Sequence, residues 1–210
     1  MNADKKISRT AKKSQTAILL AGEKLVLSGN INLITAENLS KHSGYSVGNI
    51  YHHFKNLDQV FINIFLKKRL EIFLELADEI NKFPKNKSCE DLCEILVNKN
   101  FERANKLKIK MLQYLFKIVL TKSEEPEKIN LIIDVLIDPL IECRKRNKTN
   151  SFRKIEEDEM RLLLRSFQAF VRSPFLENQP IAGTVAHRKL TLDLCQKLFC
   201  TTYPSKLTEQ

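Results

Sequence analysis

Along most of this chain apolar residues recur at steps of three and four, and strict alternation is scarce, a pattern that predicts helices throughout. A first helix is expected from about Thr10 to Ser28, with Ala17, Ile18, Ala21 and Leu25 on one face and Gly29 as its stop. Two short helices near 36–43 and 47–54 follow, with Gly44 between them. Asn56 then opens a long helix to about Lys82, which Pro84 stops. Further helices are expected near 89–105, 107–121, 126–146, 155–173 and 185–200. Pro126 suits a first helical turn behind Ser123, and Pro139 should interrupt its helix near Val135–Asp138. Pro174 and Pro180 should bracket a loop before the last helix. The expected fold class is all-α, with about nine helices.

Composition narrows the picture. Only 5 glycines and 6 prolines in 210 residues exclude collagen-like, low-complexity and turn-dense all-β chains. Lysine and arginine (35) outnumber aspartate and glutamate (25), and the net charge of +10 permits a polyanionic partner without establishing one. The sharpest basic cluster is Lys5, Lys6, Arg9, Lys12 and Lys13 at the start. That opening has no apolar core of a signal peptide, and the longest apolar stretch, Leu131 to Ile141, is broken by Asp134, Asp138 and Pro139. A cytoplasmic protein with reduced thiols and no membrane partner is expected.

Candidate chemistry is sparse outside one segment. Cys89/Cys93 and Cys195/Cys200 are spaced i,i+4 and i,i+5, without a CxxC pair, so neither a metal site nor a cofactor is expected. No Ser/His/Asp set, glycine-rich phosphate loop or paired carboxylate stands out, so there are no catalytic candidates and no enzyme is expected.

The informative segment is TAENLSKHSGYSVGNIYHHFKN, Thr35 to Asn56. Thr35 can cap the first short helix, Ser46 the second and Asn56 the long one, each side-chain oxygen taking an orphan N–H. Gly44 sits where the chain reverses and a positive φ is favoured. Ile50 and Phe54, four apart, face inward with Leu39, whereas Asn49, Tyr51, His52 and His53 fall largely outside that stripe. Two short helices about a tight glycine turn, backed by a longer helix, suggest a helix-turn-helix. Its second helix would offer Asn49 and His52 to base edges and Tyr51 and His53 to the phosphate backbone, which Thr35 could reach from the first short helix. Spacing alone is equally compatible with ordinary exposed polar residues of a small helical bundle.

The order T-x-x-x-L-S-x-x-S-G-Y-S-x-G-N-I-Y-x-H-F-x-N resembles the DNA-binding signature of the TetR family of bacterial transcriptional regulators. Thr35, Leu39, Gly44, Ser46, Gly48, Ile50, Tyr51, His53 and Phe54 match typical family residues, with Ala21 and Gly29 in register. The resemblance covers residues of about 10–65; the rest is similar only in helicity and length. At Leu57 the chain departs from the lysine usual in the family, which should make DNA binding weaker and slightly less salt-dependent, or shift the load to Lys55 and the basic arm.

The resemblance implies a helix-turn-helix domain over 1–56 and a helical ligand-binding and dimerisation domain over 57–210. It implies a homodimeric repressor on double-stranded DNA with a palindromic operator, its recognition helices one DNA turn (~34–36 Å) apart, released by a small-molecule ligand. The DNA-contact candidates are Thr35, Ser46, Val47, Asn49, Tyr51, His52, His53 and Lys55. Phe101, Met111, Tyr114, Phe116 and Cys143 are candidate ligand residues, and Leu163, Phe167, Phe170, Leu190, Leu194 and Leu198 candidate dimer residues. An architectural DNA binder without a ligand, or a degenerate regulator acting through protein partners, is the alternative.

Overall fold

A computed structural model describes residues 2–104 and 108–201, with side chains for 11–102 and 108–201. Its elements run α1 (Asn2–Leu27), α2 (Ala36–Ser43), α3 (Val47–His53), α4 (Leu57–Lys82), α5 (Cys89–Ala104), α6 (Ile109–Lys122), α7 (Lys128–Leu131), α8 (Ile137–Arg146), α9 (Glu157–Leu176) and α10 (Val185–Phe199). Short 3-10 turns stand at Ile31–Leu33 and Ile132–Leu136. No strand forms among the described residues, which carry one isolated bridge between Phe152 and Cys200. The all-α expectation holds.

The helix expected over 126–146 is divided into α7, a 3-10 turn and α8, and Pro139 lies in the first turn of α8, where its missing N–H leaves no bond unmade. Pro174 departs from expectation. It lies inside α9, which continues to Leu176 rather than ending in a loop before it. A proline there removes the helical donor to the carbonyl of Phe170, and the break is confined to the last turn.

The chain divides into two compact units, 1–68 with 107–129 and 69–106 with 130–210. In the first, Ile18, Ala21 and Leu25 of α1, Leu39 of α2, Ile50 of α3 and Phe61 of α4 are all buried. Gly22 lets helices approach closely: a methyl built on it would lie 2.5 Å from Ile64 Cδ1, 3.5 Å from Leu39 Cδ1 and 3.6 Å from Phe61 Cε1. Helix α6 belongs to this unit, burying Met111, Leu115, Phe116 and Val119, with the Phe116 ring edge-on to Phe65 at 4.9 Å.

The second unit has two contiguous cores. One gathers Phe73, Leu76 and Ile80 of α4 with Leu136, Leu140, Met160 and Leu164. The other gathers Val97 and Phe101 of α5 with Phe167 and Val171 of α9 and four cysteines. Arg146 donates to the carbonyls of Ile80 at 2.5 Å and Phe83 at 2.7 Å, adding charge-assisted bonds where α4 ends.

Candidate nucleic-acid interface

The caps read from the sequence are all made. Thr35 Oγ1 accepts from Asn38 N at 3.2 Å, Ser46 Oγ from Asn49 N at 3.2 Å, and Asn56 Oδ1 from Gln59 N at 2.8 Å. Gly44 ends α2 with φ +75°, and nothing lies within 4 Å of a Cβ placed there, so backbone conformation alone selects glycine. These local devices fix where α2 and α3 begin and end. Leu39, Ile50 and Phe54 then turn one side of each into the core, at 0%, 0% and 2% exposure.

What remains outward on α3 is polar. Tyr51 (47% exposed) and His52 are exposed, and Val47 and Asn49 are half-buried. Asn49 Oδ1 is sheltered from solvent and has no hydrogen-bond partner among the described residues. Where it stands that oxygen meets neither water nor a described partner, and a rotation of the side chain is needed to present the amide's paired donor and acceptor outward. Ser46 is exposed at the N-terminus of α3, and half-buried Thr35 stands at that of α2.

Two candidates carry structural duties as well. His53 is half-buried, with Nε2 2.6 Å from Ser14 Oγ, tying α3 to α1. The Ser14 hydroxyl also lies 3.0 Å from Ala11 O, and which of Ser14 and His53 donates to the other depends on the histidine tautomer. Lys55 Nζ lies 2.8 Å from Glu124 Oε1, and that carboxylate raises the lysine pKa while its own is lowered. Both groups are exposed, so the pair holds Lys55 only weakly against a phosphate. Lys12 and Lys13 are exposed on α1; Lys5, Lys6 and Arg9 lie outside the residues with described side chains.

The ligand and dimer candidates separate. The second unit encloses a cavity of about 40 Å³ with Leu76, Leu92, Leu136, Met160, Leu164 and Phe167 among its walls and Asn100, Gln168, Arg144 and Arg153 as polar handles. Phe101 and Cys143 are buried in that unit's cores but do not line it; Met111, Tyr114 and Phe116 belong to the first unit. Of the dimer candidates, Phe167 is buried within its own chain, and Leu163, Leu194 and Leu198 are half-buried. Phe170 (39%) and Leu190 (50%) are exposed, as is Leu162 (65%), which the sequence reading passed over. Leu162, Ser166 and Phe170 follow an i,i+4,i+8 line, all three exposed, and the apolar ends of that line are the signal that would have found Leu162.

His187 supplies a pH response inside the second unit. Its ring is 2% exposed and packs edge-on to Phe101 at 4.9 Å, and its Nδ1 accepts from Gly183 N at 3.2 Å. Burial lowers its pKa, with the Phe170 carbonyl freed by Pro174 acting in the opposite direction. Since the folded value is below the unfolded one of ~6.5, stability is full above that value. It falls as the pH drops toward the folded pKa, because the unfolded chain takes the proton first. Thermal midpoints measured from about pH 7.5 to 5 should therefore decline, and His187→Phe should flatten that decline.

The geometry defines an all-α protein with a helix-turn-helix in its first unit. No family model matches the chain, and no curated protein matches it. Solved structures do. The transcriptional regulator FadR from Bacillus subtilis, in complex with stearoyl-CoA, is similar with a TM-score of 0.57 at 16% identity, over 87% of this chain and 96% of that one. A protein from Mesorhizobium loti described as a TetR-family transcriptional regulator has a TM-score of 0.54 at 11% identity, over 92% and 98%. A TetR family transcription regulator from Marinobacter aquaeolei has one of 0.50 at 13% identity, over 92% and 98%. The chain has the fold of TetR-family transcription regulators.

Proposed function

We propose that this chain is a sequence-specific DNA-binding transcriptional regulator that works as a homodimer. The observation that carries the reading is helix α3: capped by Ser46, anchored by Ile50, and leaving Tyr51 and His52 outward beside an Asn49 whose amide oxygen has no partner among the described residues. In this reading the helix-turn-helix over 1–56 reads DNA and the helices of 57–210 dimerise and sense a ligand, with 57–68 and 107–129 belonging to the same compact unit as the helix-turn-helix. Exposed Leu162 and Phe170 on α9, with the small Ser166 between them, and Ala186 and Leu190 on α10 support pairing with a second copy, whose burial of apolar surface would drive association. Two-fold symmetry then sets the operator as a palindrome.

Repression relieved by a small molecule is the mode we favour. The FadR structure holds stearoyl-CoA. The cavity of about 40 Å³ here has room for only a few waters, so an effector must part α5, α8 and α9 to enter. A ligand that binds the parted form better shifts the population toward it and respaces the recognition helices.

A gel shift on the DNA upstream of the coding region, run across a salt series, tests this. The expected result is a discrete complex that resists excess unrelated DNA and weakens steadily with salt. Equal binding to any duplex would favour the architectural reading, and no binding at low salt would leave only a regulator acting through proteins.

A further inference from the structure

Four of the five cysteines meet at one place, although no sequence spacing announces it. Cys89 is the first residue of α5 and Cys93 lies one turn on; Cys200 ends α10, and Cys195 is on the same helix. All four are buried free thiols of one core. The Sγ atoms of Cys89, Cys93 and Cys200 all lie within 4.8 Å of one another, and Cys93 and Cys200 are 3.8 Å apart. Thiolates on a tetrahedral ion with ~2.3 Å metal–sulfur bonds stand about 3.8 Å apart, so one edge has the needed length and the others need small side-chain rotations. A disulfide would require Sγ atoms near 2.05 Å.

The backbone holds the three thiols together before any ion arrives. Cys89 N donates to Ser151 Oγ at 2.7 Å, Thr201 N to Ser151 O at 2.8 Å, and Arg153 N to Phe199 O at 2.9 Å. The end of α10 is thereby pinned to the start of α5 through the 151–153 segment. Cys89 also sits where the N-terminal dipole of α5 favours a thiolate. Cys89, Cys93 and Cys195 line the internal cavity, whose walls include the Arg144 and Arg153 side chains.

We infer that Cys89, Cys93 and Cys200 form a three-thiolate binding site for a thiophilic d10 cation, zinc(II) or copper(I). Binding is non-redox. Each of the three S–H bonds ionises, its proton goes to solvent, and a sulfur–metal bond forms. A bound ion would form a clip between residues more than a hundred positions apart in the sequence. The site stands independently of the DNA-binding reading.

The test titrates the reduced, metal-free full chain with cobalt(II) as a spectroscopic stand-in, followed by zinc(II), and separately with copper(I) under argon. The expected results are thiolate-to-cobalt charge-transfer absorption reaching one ion per chain, its displacement by zinc, and release of about three protons per ion. A copper(I) arm that alone saturates assigns the site to copper. Cys93→Ser and Cys200→Ser should each weaken binding by about a hundredfold or more, whereas Cys143→Ser, in a different core, should not. The wild-type titration decides the matter even if a variant fails to fold. Absence of stoichiometric uptake in every arm, uptake undiminished by loss of Cys93 and Cys200 together, or a Cys93–Cys200 disulfide forming in place of metal uptake would overturn the proposal.

Discussion

Phe61→Ala is expected to destabilise the protein by about 3–5 kcal/mol, lowering its melting midpoint by about 6–20 °C. The ring is wholly buried, and its Cε1 lies in the space where Gly22 of α1, Leu39 of α2 and Ile64 of α4 come together. The substitution empties a volume bounded by three helices, and Gly22 has no side chain to swing into it. Such cores relax only partly, so the cost includes the cavity as well as the lost burial. The loss is a large part of the ~5–15 kcal/mol by which a folded domain is stable. Calorimetry of wild type and variant reads it, and an unchanged midpoint would mean that these helices do not pack as described.

The second large effect concerns recognition. Asn49→Ala is expected to weaken binding to the specific site by about 1–3 kcal/mol, roughly five- to 150-fold, with little change for unrelated DNA. The reason lies in what the fold does not use. Asn49 Oδ1 has no partner among the described residues, and no hydrogen bond of the described fold runs through this side chain, so its removal leaves those bonds in place. Tyr51→Ala removes an exposed ring and hydroxyl that the proposed reading assigns to the phosphate backbone, and should weaken specific and unrelated complexes more evenly. His53→Ala would be a poor probe of contact, because it also breaks the tie to Ser14 that positions α3.

The helix-turn-helix was legible because its information is local. Thr35, Ser46 and Asn56 cap helices within three residues of themselves, Gly44 supplies a positive φ in place, and Leu39, Ile50 and Phe54 repeat at helical spacing. Pro139 likewise marked its interruption. What stayed hidden is set by distant packing. A stripe such as Leu163–Phe167–Phe170 does not say which helix it meets, and the fold divides it, with Phe167 turned into the chain's own core and Phe170 left outside. Met111 and Phe116 read as cavity lining, yet α6 packs into the first unit, where Phe116 meets Phe65. The cysteines are the clearest case. Each pair is unremarkable in sequence, and only the pinning of the α10 end to the α5 start joins them.

The central claim is that α3, one from each of two copies, reads base edges. Hydroxyl-radical footprinting of the upstream DNA with wild type and the Asn49→Ala, Tyr51→Ala double variant, after circular dichroism has established equal helicity, tests it most directly. The account predicts two protected patches about one helical turn apart for the wild type, lost in the variant at the same protein concentration. Protection that is identical for both proteins, or that has no repeat at the helical turn, would contradict it.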